Sequence, residues 1–145
     1  MTTFSGSCHC GAIAVAYETA ATADAVKVRA CQCSFCRRHG ARTVADPAGS
    51  VSIAARRPQD LQRYRFGLRT ADFLLCRNCG VYVAAVYSEN GLSRATVNAN
   101  CLRDGPPLTA AAAPVDYEGE AETDRRARRA ARWTPVKAFT IEESA

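Results

Sequence analysis

Apolar and polar residues alternate along much of the first hundred residues, with the period of strands that bury one face. Residues 12–17 are typical, because Ile13, Val15 and Tyr17 fall on one side of an extended chain. The same alternation predicts further strands at residues 26–29, 51–53, 61–66, 71–75, 81–87 and 94–100. The dipeptide Asn90-Gly91 predicts a hairpin turn between the last two. The pattern therefore predicts a mainly β domain.

Two segments depart from this alternation and predict helices. Residues 34–39 are expected to form a short helix directly after a Cys-x-Cys pair. Thr123 is expected to cap a second helix over residues 124–132, which Thr134-Pro135 would end. Its five arginines are interpreted as a solvated face, since acidic residues lie just before it. Residues 105–114, rich in proline and alanine, are expected to form a loop.

Length and composition narrow the class of protein. A chain of 145 residues and 15.6 kDa is expected to form one domain with a core of its own. It has no apolar run near 18 residues, and residues 1–6 do not resemble a secretory signal, so we expect a cytoplasmic protein that binds no membrane. A net charge of +5 is too small to predict nucleic-acid binding. Eight cysteines in a reducing compartment suggest metal binding or chemistry.

Seven of the cysteines fall into three tight clusters. Cysteines one or two residues apart pair poorly as disulfides, whereas two thiolates from one turn can both reach a metal about 2.3 Å away. The glycine after two of the clusters suits a turn that needs a positive φ. The clusters are Cys8-His9-Cys10-Gly11, Cys31-Gln32-Cys33-Ser34-Phe35-Cys36 and Cys76-Arg77-Asn78-Cys79-Gly80.

The cluster sizes predict two zinc sites of different kinds. Structural zinc usually has four protein ligands, while catalytic zinc has three and an open position. We therefore expect a closed site made by Cys8, Cys10, Cys76 and Cys79. Cys31, Cys33 and Cys36 would form an open one.

Other assignments of the cysteines stay open at this stage. Cys31 and Cys33 could join either of the other clusters, and His39 or Cys101 could complete a second structural zinc. Cys76 and Cys79 could instead form a redox dithiol, although no βαβ pattern surrounds them. Cys101 is otherwise expected to be a small buried residue.

Positive charge is concentrated around the group of three cysteines. Residues 27–69 contain ten cations and two acidic residues, which gives +8 and leaves −3 for the rest of the chain. Because arginine binds carboxylates and phosphates, Arg37 and Arg38 are predicted to hold an anionic molecule at the metal; the alternative is a solubilising surface. His39 is a candidate acid or base, or else a helix-end histidine, and Asn98 and Asn100 could line the pocket.

Together, Gly6-x-Cys8-x-Cys10-Gly11, Cys31-x-Cys33-Ser34-x-Cys36-Arg37-Arg38 and Cys76-x-x-Cys79-Gly80 resemble the glutathione-dependent formaldehyde-activating enzyme family, which includes centromere protein V-like domains. The likeness runs over residues 3–104. It implies a zinc-stapled β-tent of small antiparallel sheets, with the first and last clusters on a structural zinc and Cys31, Cys33 and Cys36 on a zinc that meets glutathione. The chain departs from the family at Leu75, where phenylalanine is common, and at Val81, where a small polar residue is frequent.

The resemblance implies a zinc-dependent carbon–sulfur lyase that condenses glutathione with formaldehyde to S-(hydroxymethyl)glutathione. Two zinc ions per chain and glutathione as cosubstrate are expected, with residues 1–120 as the zinc-binding domain and 121–145 as a C-terminal helix and tail of the same unit. The alternatives are a same-fold enzyme that uses another thiol or aldehyde, and a non-catalytic zinc module that binds a partner. Nucleic acid is not expected as a partner, because aromatic residues are sparse in the basic stretch.

Overall fold

The computed structural model describes residues 1–142, which contain twelve strands and two α-helices. The strands are β1 (Thr2–Ser7), β2 (Ile13–Thr19), β3 (Arg29–Cys31), β4 (Thr43–Val44), β5 (Ser50–Ala55), β6 (Leu61–Tyr64), β7 (Asp72–Cys76), β8 (Tyr82–Glu89), β9 (Leu92–Asn98), β10 (Leu102–Asp104), β11 (Ala113–Val115) and β12 (Thr134–Ile141). The helices are α1 (Ser34–His39) and α2 (Glu122–Arg132). The prediction of a mainly β protein with two helices is confirmed.

Strand β12 joins two parts of one mixed sheet. On one side the strand order is β10-β1-β2-β5, and β12 lies parallel to β5. At its start, β12 pairs antiparallel with β9, which also borders β8 and β4. A second parallel pair joins β3 to β11, so the sheet is mixed where antiparallel sheets alone were expected. Both parallel pairs join strands far apart in sequence, as the long connection between parallel strands requires.

The core forms where the strand alternation buries one face. Ile13, Val15 and Tyr17 of β2 are all buried, and Val15 lies opposite Ile53 of β5 in the register. Strand β8 differs because it is buried on both faces. Val83 packs into the main core, whereas Tyr82, on the same strand, packs into a smaller cluster with Cys36, Phe73 and Trp133. That second cluster places β8 beneath Cys36 of α1.

Some predicted boundaries were wrong. Val26 and Val28 are buried in the core on either side of an exposed Lys27, but they form no strand, and β3 begins only at Arg29. Helix α2 begins at Glu122, so Thr123 lies inside its first turn and is not the cap. Glu122 and Asp124 in that turn suit the helix dipole without a side-chain cap. The predicted loop ends in a strand, because β11 (Ala113–Val115) pairs with β3.

Candidate metal centres and their cavity

Two hairpin turns bring four cysteines together. Cys8 and Cys10 lie between β1 and β2, while Cys76 ends β7 and Cys79 precedes β8. Their four sulfur atoms lie within 4.8 Å of one another. The Cys8 and Cys10 sulfurs are 3.8 Å apart, and those of Cys10 and Cys76 are 3.6 Å apart.

This arrangement fits a structural zinc ion. Tetrahedral zinc with ligands at about 2.3 Å separates its sulfur atoms by about 3.8 Å, close to the distances in this group. The backbone N–H of Ile13 donates to the Cys8 sulfur, as expected for a thiolate acceptor. A hydrogen bond with Asn78 is the largest cause that lowers the pKa of Cys10, to about 6. Gly11 and Gly80 have φ angles of +85° and +82°, the conformation that the spacing predicted for these turns.

The other three clustered cysteines meet where β3 leads into α1. Cys31 ends β3, Cys33 is the N-cap of α1, and Cys36 lies in its first turn. The Cys33 sulfur accepts a hydrogen bond from the Cys36 backbone N–H at 3.3 Å. The three sulfurs lie within 4.8 Å of one another, and no other cysteine, histidine or carboxylate among residues 1–142 joins the group. We call this group the triad.

The triad also suits a metal cation electrostatically. Hydrogen bonds with the Cys31 and Cys33 sulfurs, followed by burial, raise the pKa of Cys36 far above its ordinary value. Three thiolates this close need a positive charge between them, which a bound divalent ion supplies. Three sulfur ligands leave a zinc ion one open coordination position. The candidates for a fourth protein ligand lie elsewhere: the ring of His39 packs against Phe35, and Cys101 donates to the Tyr82 carbonyl oxygen.

The triad opens into a cavity of about 480 Å³, which is within the usual range for a small-molecule site. Phe66, Phe73, Tyr82 and Trp133 supply its aromatic surface. The hydroxyl of Tyr82 is buried without a hydrogen-bond partner, and burial raises its pKa well above the ordinary value. The cavity therefore combines an apolar wall with an unused hydrogen-bond donor.

Arginines supply most of the charged groups in the cavity wall. Helix α2 contributes four of them, and β3 contributes a fifth two residues before a triad cysteine. The five are Arg29, Arg125, Arg128, Arg129 and Arg132. The interpretation of the α2 arginines as a solvated face was wrong, because Arg129 is buried and Arg125 and Arg128 are half-buried. The burial of Arg129 depends on Trp133 and Thr70, which contact its side chain from outside the helix.

Cys31, Cys33 and Cys36 line the cavity, but the other side chains that the sequence placed there do not. Arg37 and Arg38 are exposed and do not line it, and Arg38 donates to the carbonyl oxygen of Ser34. In a helix, side chains one and two positions after Cys36 project away from the face that Cys36 occupies. His39 is also exposed and outside the lining. Asn98 is buried, but its amide donates to the Tyr82 carbonyl oxygen and accepts from the backbone N–H of Asn100.

Sequence reasoning missed Tyr82 and the α2 arginines. A signal for the arginines was present, since residues 125, 128, 129 and 132 follow the i, i+3, i+4, i+7 spacing of one helix face. For Tyr82 there was none, because a strand that is buried on both faces does not reveal which face meets a cavity.

Comparison with known protein families and solved structures shows which family the chain belongs to. The model of the glutathione-dependent formaldehyde-activating enzyme family matches residues 3–117. The chain belongs to this family. A crystal structure of a Rhodobacter sphaeroides protein is also similar, at 34% identity and a TM-score of 0.53, over 76% of this chain and 97% of that one. No curated protein matches the chain significantly.

In this member of the glutathione-dependent formaldehyde-activating enzyme family, the family match covers one part of the cavity and ends before the other. Both cysteine groups lie inside the matched residues, whereas α2 and β12 follow them. The metal-binding part is therefore shared with the family model. The five cavity arginines, which we call the arginine wall, come mostly from the segment after the matched residues. Neither helix in residues 1–142 is long and apolar enough to cross a membrane.

Proposed function

We propose that this protein is a zinc-dependent carbon–sulfur lyase that binds glutathione at Cys31, Cys33 and Cys36 and condenses it with formaldehyde to S-(hydroxymethyl)glutathione. The observation that carries the proposal is a triad without a fourth protein ligand, opening into a cavity. A module that only needed a structural zinc would have no use for an open position. Membership of the family supports the choice of thiol and aldehyde.

Zinc held by the triad would stabilise the thiol of the substrate as a thiolate, the form that attacks a carbonyl carbon. A thiol held at the triad would lie in the cavity, because the triad cysteines line it. The aromatic surface around Phe66 and Phe73 limits the water beside it. The arginine wall offsets the negative charge of three thiolates and attracts carboxylates.

The reaction balances without a redox partner. A bond forms between the glutathione sulfur and the formaldehyde carbon, and the π electrons of the carbonyl move to its oxygen. That oxygen takes up the proton that the thiol released. We assign the Tyr82 hydroxyl as the hydrogen-bond donor to this oxygen, because it is unpartnered in the cavity wall. Its raised pKa keeps the hydroxyl protonated at neutral pH.

The same proposal places the protein in the cytoplasm. None of the eight cysteines forms a disulfide in the structure, which suits a reducing compartment. Glutathione is the thiol that such a compartment supplies, so the cosubstrate and the redox state of the cysteines agree.

The proposal is tested by counting zinc and measuring exchange. Wild-type protein should contain two zinc ions per chain by elemental analysis, and Cys33→Ala should contain one with the fold retained. Because the adduct also forms slowly in water, NMR exchange between free glutathione and its hydroxymethyl adduct gives the acceleration. We expect wild-type protein to accelerate exchange and Cys33→Ala to lose that acceleration.

Cys101→Ala is the matched control, since it removes a cysteine outside both groups. It should retain two zinc ions and the exchange rate of the wild type. Failure of the zinc-loaded wild type to bind glutathione at several millimolar would exclude the proposed cosubstrate. Collapse of the fold in Cys33→Ala would instead mean that the triad zinc is structural.

A further inference from the structure

The positive charge of the cavity wall is only partly compensated. Arg125 and Arg128 share the carboxylate of Glu120, at nitrogen–oxygen distances of 3.4 and 3.0 Å. Arg128 also lies over the ring of Tyr117. These two arginines therefore form a fixed internal pair with a carboxylate of this chain.

The remaining arginines of the wall have no such partner. Within residues 1–142, no carboxylate lies within 4.0 Å of Arg29, Arg129 or Arg132. Glu118 also lines the cavity, but it accepts a hydrogen bond from the backbone N–H of Ser34. Three guanidinium groups thus line one small cavity without an ion-pair partner from the described part of this chain within 4.0 Å.

Arg129 is the most deeply buried of these three arginines. It is 6% exposed, its guanidinium lies 4.7 Å from the centre of the Trp133 ring, and its Nη1 donates to the hydroxyl of Thr70. Its Nε is buried without a hydrogen-bond partner. Burial is also the largest cause that lowers its pKa, to about 10. Burying a guanidinium without a compensating anion is unfavourable, so the site favours a ligand that brings one.

We propose that Arg29, Arg129 and Arg132 bind the carboxylates of the thiol substrate, so that helix α2 selects anionic thiols over neutral ones. The inference rests on the proposed function for the thiol itself and adds the groups that set its specificity. A guanidinium fork matches a carboxylate with two parallel hydrogen bonds. Because Arg125 and Arg128 are held by Glu120, Arg29, Arg129 and Arg132 are the cavity arginines whose guanidinium groups have no carboxylate partner within 4.0 Å among the residues that the structure describes.

The chain contains its own probe for this site. Trp133 is the single tryptophan of the sequence and lies in the cavity wall against Arg129, so its fluorescence reports on occupancy. The zinc-loaded full chain is titrated with glutathione and with glutathione dimethyl ester, which retains the thiol but masks both carboxylates. We expect the ester to bind at least about 10-fold more weakly, as for the loss of hydrogen bonds between charged groups.

Arginine variants then locate the selectivity. Arg129→Gln and Arg132→Gln, singly and together, should weaken glutathione binding about 10- to 100-fold and leave the ester unaffected. Arg126→Gln is the matched control on the same helix, because Arg126 pairs with Glu122 and does not line the cavity. Arg132 is exposed, so its variant remains informative if loss of the buried Arg129 side chain unfolds the protein.

The inference is overturned if the ester binds as tightly as glutathione, or if the double variant keeps the preference of the wild type. Normal glutathione exchange in those variants would then leave the proposed function standing. The opposite outcome, in which only the proposed cosubstrate is wrong, is tested with two small thiols. 3-Mercaptopropionate carries a carboxylate and 2-mercaptoethanol does not. The wild-type protein could fail to bind glutathione and still bind 3-mercaptopropionate more tightly than 2-mercaptoethanol. If Arg129→Gln removes that preference, the proposed cosubstrate is overturned and the anion-selective wall is supported.

Discussion

Removing one sulfur from the four-cysteine group should destabilise the whole fold. Cys10→Ala is the most informative change, because Cys10 is only partly buried and its loss leaves little empty space in the core. Its sulfur lies 3.6 Å from that of Cys76, a residue 66 positions later. A metal ion held here fastens the β1–β2 turn to the β7–β8 turn.

The number of residues between Cys10 and Cys76 sets the size of the expected loss in stability. Cross-linking a loop of this length restricts the unfolded chain by about 4 kcal/mol in the entropy model for cross-links. Binding of structural zinc contributes about 10 kcal/mol or more in small zinc peptides. Domains of this size have a total stability of about 5–15 kcal/mol. The variant should therefore lose at least about 4 kcal/mol, which lowers the melting temperature by roughly 10 °C or more.

Thermal unfolding followed by circular dichroism, together with zinc content, measures this effect. Cys33→Ala is the matched control, because it removes a sulfur from the triad and leaves the four-cysteine group intact. Its melting temperature should stay within a few degrees of the wild type. A Cys10→Ala protein that has lost one zinc but melts at the wild-type temperature would refute the structural role of this group.

Three further outcomes are expected. Tyr82→Phe should lower kcat roughly 10- to 100-fold without changing glutathione affinity, because it removes one hydrogen-bond donor to the developing charge on the formaldehyde oxygen. Exchange NMR measures the rate, and Trp133 fluorescence measures the affinity. Gly6→Ala should cost about 2 kcal/mol or more in denaturant unfolding, since its Cβ would lie 1.7 Å from the carbonyl oxygen of Cys101. A chelator should remove the zinc of the open triad before that of the four-cysteine group, giving a folded one-zinc species by native mass spectrometry.

Each outcome has a control in the same chain. Tyr64→Phe alters a tyrosine that is exposed and outside the cavity wall, so a similar fall in kcat there would contradict a specific role for Tyr82. Gly119→Ala adds a Cβ that meets no atom within 4 Å and should be nearly neutral. Simultaneous loss of both zinc ions to the chelator would contradict the difference between the two sites.

The parts of the site that depend on short-range geometry could be predicted from the sequence. Whether Cys33 and Cys36 can reach one ion is decided within a few residues, by a cap and the first turn of α1. The positive φ of Gly11 and Gly80 is likewise a property of each turn. Spacing therefore indicated which cysteines meet, because few long-range contacts are needed to bring members of one cluster together.

The wall of the cavity could not be predicted in the same way. Arginine is rarely buried, so a stripe of arginines on one helix face is normally solvent-exposed. Arg129 becomes buried only because Trp133 and Thr70 enclose it, and Thr70 lies 59 residues away in sequence. Tyr82 faces the triad because of which side of β8 packs against α1, and period-two alternation does not distinguish two buried faces.

The pairing of β12 with β5 and β9 also has a consequence for the order of assembly during translation. The triad is complete once residue 36 has emerged from the ribosome, whereas α2 and β12 emerge about a hundred residues later. Between these moments the nascent chain carries three metal-binding thiols and Arg29, but not the four arginines of α2 that later line the cavity. An ion can enter the triad during this interval without passing those four arginines. Strand β12 directly follows α2 and Trp133, and its pairing with β5 and β9 then holds these last residues of the cavity wall in place.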